Sequence, residues 1–164
     1  MAGASAAQLL PELPPGASEQ FTRRWLEEIE SPRNLRLDVP YGGAIRALRR
    51  LAERHRLVLI TLRRDPEALD RQLEETGLGA CFQSVVSSGA GRLMRKAELW
   101  PRDRASGATV VVGDSEADVE LATDLGAAGI FVTFGMRSPG FLKNRGATCL
   151  SNSLAGVVKA LDGP

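Results

Sequence analysis

Hydrophobic positions in the first part of the chain recur at the spacing of a helix. Between residues 18 and 30 the apolar residues fall three or four positions apart: Phe21, Trp25, Leu26 and Ile29. This spacing predicts a helix with one apolar face, which ends at Pro32. Because residues 1–38 contain several prolines and no convincing strand, they are predicted to form a separate helical segment.

After residue 39 the pattern changes to short apolar runs that alternate with helical periods. The runs predict strands over residues 57–60, 82–86, 109–112, 130–133 and 148–150. The intervening segments predict helices after Gly43, after Asp65, and over residues 92–100, 116–125 and 154–161. This alternation is typical of an α/β domain with a mainly parallel sheet, which we assign to residues 39–164.

The charge and cysteine content narrow the classes of function. Lys and Arg total 21 against 20 Asp and Glu, so no strong net field favours nucleic acid or an anionic membrane. A small, charged ligand is favoured instead. No apolar run approaches the roughly 18 residues of a membrane span, and no signal-like segment is recognised. With Cys81 and Cys149 expected to be buried, reduced thiols, a cytoplasmic protein is expected.

Polar residues follow three of the predicted strands at the point where each strand ends. Thr61 follows the first strand, residues 113–115 follow the third, and residues 133–135 follow the fourth. The carboxyl ends of parallel strands share one edge of a sheet, and ligands bind in the crevice beyond that edge. These residues are therefore expected to face one crevice.

The segment from Gly113 to Asp118 places two carboxylates one helical turn apart. Asp114 stands at the end of a strand and Asp118 in the first turn of the next helix. Magnesium is commonly held by one or two carboxylates plus phosphate oxygens and waters, which this spacing permits. The same two residues could instead cap the helix and stabilise its positive end, and the segment alone leaves both interpretations open.

A hydroxyl and a lysine elsewhere in the chain favour the first interpretation. Thr61 can hold a phosphate oxygen, and Lys96 offers a compact positive charge to the same group. Taken singly, a threonine such as Thr61 is more often a strand-end residue without a chemical role, and a lysine such as Lys96 is more often a solvated helix residue. Their order indicates a phosphate site: a hydroxyl after one strand, a lysine on the intervening helix, then Gly-Asp-x-x-x-Asp after an apolar strand.

With these motifs the chain resembles the haloacid dehalogenase-like (HAD) hydrolase superfamily, and within it the phosphoglycolate phosphatase-like branch with a helical cap. The resemblance runs from about Leu37 to Leu161. It rests on segments 57–61, 95–99, 111–118 and 132–138, whose sequences are LVLIT, RKAEL, VVGDSEAD and VTFGMRS.

The resemblance implies a Rossmann-like parallel sheet flanked by helices, with residues 1–38 as a partial helical cap. It implies that Thr61 and Lys96 bind the substrate phosphate and that Asp114 and Asp118 hold Mg²⁺ as the cofactor. The possible accessory residues are Arg63, Gly113 and Ser115. Whether Arg95 or Lys96 is the phosphate-binding cation stays open.

The chain departs from the family at its first motif, an Asp-x-Asp pair that follows the central first strand. None of the eight aspartates here is separated from another by one residue. Asp38 is the one aspartate before Thr61, and Pro40 stands where its partner would be. No catalytic residue is therefore identified, and the central first strand is expected to be missing. Its absence would leave apolar strand edges open to self-association, unless the strands on either side of the gap pair directly or residues 35–38 fill it.

Two main hypotheses follow for function. The first is a Mg²⁺-dependent phosphatase for a small phosphate monoester, truncated and catalytically impaired because it lacks the nucleophile. The alternative is a non-catalytic module that uses a phosphate and Mg²⁺ pocket for binding or regulation; completion by a partner is a third possibility. The expected partner is a small phosphorylated substrate, with no nucleic acid and no membrane.

Overall fold

The computed structural model describes residues 16–89, 94–101 and 108–163. Its helices are α1 (Ala17–Ile29), α2 (Pro32–Leu35), α3 (Ala44–Ala52), α4 (Pro66–Thr76), α5 (Glu116–Leu125), α6 (Pro139–Asn144) and α7 (Leu154–Asp162). Its strands are β1 (Val58–Thr61), β2 (Ser84–Ser87), β3 (Val110–Gly113), β4 (Ala128–Val132) and β5 (Leu150–Ser151). Single 3₁₀ turns cover Gly79–Cys81 and Lys96–Leu99.

The helix predicted over residues 18–30 is confirmed as α1, but Pro32 does not end it. α1 stops at Ile29, and Pro32 is the first residue of α2, whose capping Ser31 side chain accepts a hydrogen bond from the Asn34 amide at 3.4 Å. Proline suits the first turn of a helix because the missing N–H would have no partner there. On the apolar side of α1, Phe21 is 43% and Trp25 47% exposed. The predicted segment also includes residues 1–15, which lie outside the described residues.

The helix that follows β1 begins and ends at the residues the sequence predicts. The Asp65 side chain accepts a hydrogen bond from the Ala68 amide at 2.9 Å, and Pro66 occupies the first turn. Gly77 ends α4 with φ 70°, a left-handed conformation that glycine adopts without a steric cost. Leu69 and Leu73 are buried, as predicted.

All described strands run parallel to their neighbours. β1 pairs with β2, and β3, β4 and β5 form a second sheet in that order. Helices flank these sheets, so the predicted α/β, Rossmann-like class is confirmed. The bounds shift by one to two residues. β2 starts at Ser84 rather than at residue 82, because the Phe82 amide still closes the preceding turn on Gly79.

In the second half of the chain one predicted helix was wrong and one helix was not predicted. The helix predicted over residues 92–100 is a 3₁₀ turn at Lys96–Leu99 preceded by extended Arg95, while residues 92 and 93 lie outside the described residues. Helix α6 was missed, although Ser138 and Pro139 carry its start signal: the Ser138 hydroxyl accepts from the Phe141 amide at 3.3 Å.

The two sheets leave strand edges without partners. Among the described residues, no strand pairs with the second edge of β1 or of β3, and residues 35–38 form the end of α2 and a turn rather than a strand. Val110 and Val112 on β3 are 38% and 45% exposed, which is unusual for the β-branched strand of an α/β fold. The part of the chain described here thus contains no central strand between β1 and β3.

A single apolar core nevertheless lies against both sheets. Its buried members are Val111, Val119, Leu121, Ala122, Phe131, Leu142 and Ala147, and Ile60 of β1 packs against them. Cys81 is buried as predicted, whereas Cys149 is exposed, and both thiols are free. Within residues 16–89, 94–101 and 108–163, no helix has the length and hydropathy needed to cross a membrane.

Candidate phosphate and metal site

Asp118 organises the start of α5, directly beyond the end of β3. One carboxylate oxygen, Oδ2, accepts hydrogen bonds from the Asp114 amide (3.1 Å), the Ser115 amide (3.1 Å) and the Ser115 hydroxyl (2.6 Å). These bonds satisfy amides that a helix start otherwise leaves without partners, and the negative charge suits the positive helix end. The capping role considered for Asp118 is thus present in the structure.

The other oxygen of Asp118 binds the lysine singled out from the sequence. Lys96 Nζ donates to Asp118 Oδ1 at 2.6 Å, and the two side chains are 16% and 6% exposed. The ion pair joins the turn Lys96–Leu99 to the first turn of α5. An ammonium group at this depth needs such a partner, because removing a lone charge from water costs several kcal/mol. Lys96 and Asp118 therefore form one unit.

The carboxylate of Asp114 lies at the tip of β3 and contacts the loop after β4. Its Oδ2 accepts a hydrogen bond from the Met136 amide at 2.6 Å. Two glycines permit this crowding: a Cβ on Gly113 would overlap the Asp118 side chain, and one on Gly135 would overlap that of Asp114. The ends of β3 and β4 thus meet closely enough that no other residue fits at either position.

Thr61 is the last residue of β1, and this strand packs against the turn that begins at Lys96. Its hydroxyl oxygen accepts from the Arg63 amide at 3.3 Å, while no acceptor for its own hydrogen occurs in the described residues. The hydroxyl hydrogen is therefore available to a ligand oxygen.

The side chain of Arg63 contacts the helical segment. It donates to Asp38 Oδ2 at 3.0 Å and to the Ile29 carbonyl at 3.5 Å. Glu30, at the end of α1, accepts from the backbone amides of Arg64 (2.9 Å) and Asp65 (3.1 Å). The loop directly after Thr61 is thus bound to residues 29–38. Sequence reasoning missed Glu30, because no local pattern marks a carboxylate whose partners lie 34 and 35 positions away.

The structure distinguishes Arg95 from Lys96. Arg95 donates to Asp124 at 2.6 Å, and its side chain is 60% exposed. Lys96 points to Asp118 instead, beside the end of β3. Lys96 is therefore the cation nearer the two predicted metal ligands.

The carboxylates provide limited ligation for a metal ion. In the described residues no group of three or more His, Cys, Asp or Glu side chains could hold one. Asp114 Oδ1 accepts no hydrogen bond within them, whereas both oxygens of Asp118 already accept from donors. Magnesium needs one or two carboxylates when phosphate oxygens and waters complete its shell. Asp114 meets this requirement with its Oδ1. Asp118 could offer its Oδ1 to the ion only if Lys96 no longer occupied that oxygen.

A second ion pair fixes the loop that supplies the Met136 amide. Arg137 donates from Nε and Nη2 to the two oxygens of Glu116, each at 2.7 Å. The hydrogen bond to Arg137 lowers the pKa of Glu116, although burial opposes it, and the hydrogen bond to Glu116 in turn raises the pKa of Arg137. This pair connects the loop after β4 to the first turn of α5.

The lowered pKa of Glu116 predicts a loss of stability in acid. Because the carboxylate form is stabilised in the folded state, its contribution is present above the ordinary pKa of 4.5 and is lost as the pH falls through the lowered value. We expect the free energy of unfolding to fall more steeply below pH 4.5 in the parent than in Glu116→Gln, measured by urea denaturation. Glu120→Gln, an exposed change on the same helix, should keep the parent slope. Equal slopes for all three would contradict a role for the pair.

Comparisons with known proteins show which family and which folds the chain is similar to. Residues 84–157 match the model of the HAD-hydrolase-like family. A "predicted phosphatase" from Clostridium acetobutylicum superposes with a TM-score of 0.79 at 21% identity, over 95% of this chain and 74% of that one. A haloacid dehalogenase-like family hydrolase from Streptococcus pneumoniae gives 0.75 at 16% identity, over 99% and 78%.

The same fold also occurs in a protein that is named as a kinase rather than as a phosphatase or hydrolase. Protein tyrosine kinase A of Mycobacterium tuberculosis superposes with a TM-score of 0.76 at 18% identity, over 99% of this chain and 79% of that one. No curated protein sequence matches the chain. These identities are low, so the superpositions show the fold, and the reaction has to be argued from the site.

Proposed function

Because this chain is HAD-like in its fold and in its family match, we propose that it is a hydrolase of the phosphatase type that binds a small phosphate monoester with Mg²⁺. The observation that carries the proposal is the Lys96–Asp118 ion pair beside Asp114 at the end of β3. A partly buried ammonium group and two carboxylates lie together beyond a strand end, where α/β folds bind ligands. Phosphate and a divalent cation are the ligands that this set of charges suits.

In this proposal Thr61 and Lys96 hold the phosphate. An ammonium group has three donors, of which Asp118 uses one, so Lys96 can bind a phosphate oxygen without leaving Asp118. The Thr61 hydroxyl supplies a further donor. Charge-assisted hydrogen bonds of this kind are about twice as strong as neutral ones.

Magnesium would be held by Asp114 through its remaining oxygen, with Asp118 next to it. When bound, the ion would neutralise charge on the phosphate oxygens. Ser115 and Gly113 contribute indirectly, since Ser115 holds Asp118 in place and Gly113 leaves room for it. Arg63 acts on the segment 29–38 rather than on the phosphate, because its guanidinium group binds Asp38 and Ile29.

Catalysis by these 164 residues is proposed to be impaired. The sequence contains no Asp-x-Asp pair. A non-catalytic module that binds phosphate and Mg²⁺ is therefore the second candidate function, and the missing pair is the observation that favours it. A cytoplasmic location belongs to the same proposal, supported by two free thiols.

A second copy of the chain is a further proposed partner. The open edges of β1 and β3 and the exposed Val110 and Val112 support association through strand edges. Unpaired edges offer a row of donors and acceptors to another chain.

The phosphate site can be tested by titrating orthophosphate into the chain, with and without Mg²⁺, followed by calorimetry. We expect Thr61→Val and Lys96→Met to weaken phosphate binding by about tenfold or more, because each loses a charge-assisted hydrogen bond. Asp114→Asn should remove the effect of Mg²⁺ on that affinity. Thr61→Val keeps the side-chain volume, so it remains informative if Lys96→Met impairs folding.

The matched control is Lys143→Met, which removes an exposed lysine of α6. If it weakens phosphate binding as much as Lys96→Met, the affinity reflects overall charge and the proposed site is wrong. A phosphate affinity that is unchanged in Thr61→Val would also contradict the proposal.

A further inference from the structure

A broad groove lies apart from the crevice, between α3, α4 and the segment that joins α2 to α3. Its volume is about 1370 Å³, and Thr61, Lys96 and Asp114 do not line it. Arginines are frequent along it: Arg36, Arg46, Arg49, Arg50 and Arg54. A smaller neighbouring groove of about 890 Å³ shares Tyr41, Arg46, Arg50 and Asp162 with it.

Three of these arginines lie on one face of α3. Arg46, Arg49 and Arg50 follow the spacing i, i+3 and i+4, and Arg54 lies in the turn after the helix ends at Ala52. Like charges at this spacing repel one another, although the negative end of the helix favours Arg49 and Arg50 in its last turn. A ligand of opposite charge would reduce the repulsion among these arginines.

Most of this positive charge is not neutralised within the described residues. Arg50 binds Asp162 Oδ2 at 2.8 Å, whereas Arg36, Arg46, Arg49 and Arg54 have no carboxylate partner there. Among the acidic residues of the groove, Asp38 is held by Arg63 and Gln72. Glu53 and Glu75 complete the lining. Four unpaired guanidinium groups thus outnumber two unpaired carboxylates.

The length of the arginine row indicates the size of the anion. The row runs from Arg46 along roughly 9 Å of α3, to its end at Ala52, and continues into the turn that carries Arg54. One phosphate cannot contact arginines over that distance, whereas two or three linked phosphates can. Arginine suits such groups because its planar donors bind phosphate oxygens in pairs.

One further feature of the groove favours an organic group attached to the phosphates. Tyr41, 57% exposed, is fixed at the groove by its hydroxyl, which donates to the Phe134 carbonyl at 2.6 Å, and offers an aromatic surface.

We propose that this groove binds a polyphosphate chain, carried by a nucleotide or present as inorganic polyphosphate, at a site separate from the phosphate and metal crevice. The chain lies along Arg46, Arg49 and Arg54. In a nucleotide, the base contacts Tyr41.

The test is calorimetric titration of the whole chain with inorganic tripolyphosphate and, separately, with adenosine triphosphate, both with a chelator present to exclude Mg²⁺. We expect the double variant Arg46→Gln/Arg49→Gln to lose about tenfold or more in affinity for both ligands, because charge-assisted bonds are removed. Arg23→Gln/Arg24→Gln on α1 removes the same charge outside the groove and should change affinity by less than about twofold.

The two ligands distinguish the source of the phosphate chain. If adenosine triphosphate binds more tightly than tripolyphosphate, and Tyr41→Leu removes this difference, the ligand is a nucleotide. If the two ligands bind with equal affinity, the groove recognises the linked phosphates alone. Arg46→Gln/Arg49→Gln should change the orthophosphate affinity of the crevice by less than about twofold, which separates this site from the proposed crevice.

Three results would overturn the proposal: absence of binding by the parent chain, equal losses in the two double variants, or a loss of orthophosphate affinity in Arg46→Gln/Arg49→Gln as large as its loss of tripolyphosphate affinity. The proposal would also be overturned if a poly-glutamate peptide bound more tightly than tripolyphosphate and lost affinity in Arg46→Gln/Arg49→Gln. The ligand would then be an acidic protein segment.

Discussion

The chain of 164 residues is expected to release phosphate from small phosphate esters at well below 1 s⁻¹, the low end of ordinary enzymes, even with Mg²⁺. Covalent phosphoryl transfer needs a nucleophile in line with the leaving oxygen, and positioning with charge stabilisation supplies much of the remaining acceleration. Thr61, Lys96 and a metal at Asp114 can supply positioning and charge stabilisation. Without an Asp-x-Asp pair, the nucleophile is missing.

The measurement is release of inorganic phosphate from a panel of small phosphate esters. The comparison proteins are a version extended upstream by a strand ending in Asp-x-Asp and an Asp114→Asn variant. We expect the extended version to be faster by several orders of magnitude. Turnover on the order of 1 s⁻¹ or more from the 164 residues, abolished by Asp114→Asn, would show that another group replaces the aspartate.

Replacing Asp118 is expected to cause the largest loss of stability of any single change in the crevice. Asp118→Asn leaves the ammonium group of Lys96 buried without a counter-charge, and breaking such a pair from one side costs about 3–5 kcal/mol. Small domains have roughly 5–15 kcal/mol in total, so a large part of the folding free energy would be lost. Urea denaturation followed by circular dichroism measures the difference.

The control for this change is Asp124→Asn. Asp124 pairs with Arg95, whose side chain is 60% exposed, so its removal should cost no more than about 1 kcal/mol. The double variant Lys96→Met/Asp118→Asn should recover part of the loss, because it removes the charge that Asp118→Asn leaves behind. If Asp118→Asn costs no more than Asp124→Asn, the buried pair contributes little.

Helix ends that depend on neighbouring residues could be predicted from the sequence. Asp65, Pro66 and Gly77 fixed both ends of α4, since capping bonds and the left-handed C-terminal residue involve neighbours in the chain. The same signals at Ser31 and Ser138 were present but overlooked, and α2 and α6 were missed with them.

Features that depend on distant contacts could not be predicted in the same way. The resemblance to the family drew attention to Lys96 and Asp118, but their ion pair joins residues 22 positions apart. Nor did the pattern predict that Lys96 would lie on a 3₁₀ turn, because the tertiary contact with α5 stabilises a conformation that periodicity does not encode. The same limit applies to Glu30, whose partners follow β1.

The separation into two sheets has a consequence for cooperativity. Strands β1 and β2 share backbone hydrogen bonds with each other, and β1 joins the common core through Ile60. A two-stranded sheet alone is marginally stable, whereas three strands packed on a helix can sustain themselves. We therefore expect the β1–β2 pair to open before the three-stranded unit, and Thr61 to open with it, while Lys96 and Asp118 stay joined to that unit. A ligand that bridges Thr61 and Lys96 would close this opening, so its binding would also raise the local stability of β1–β2.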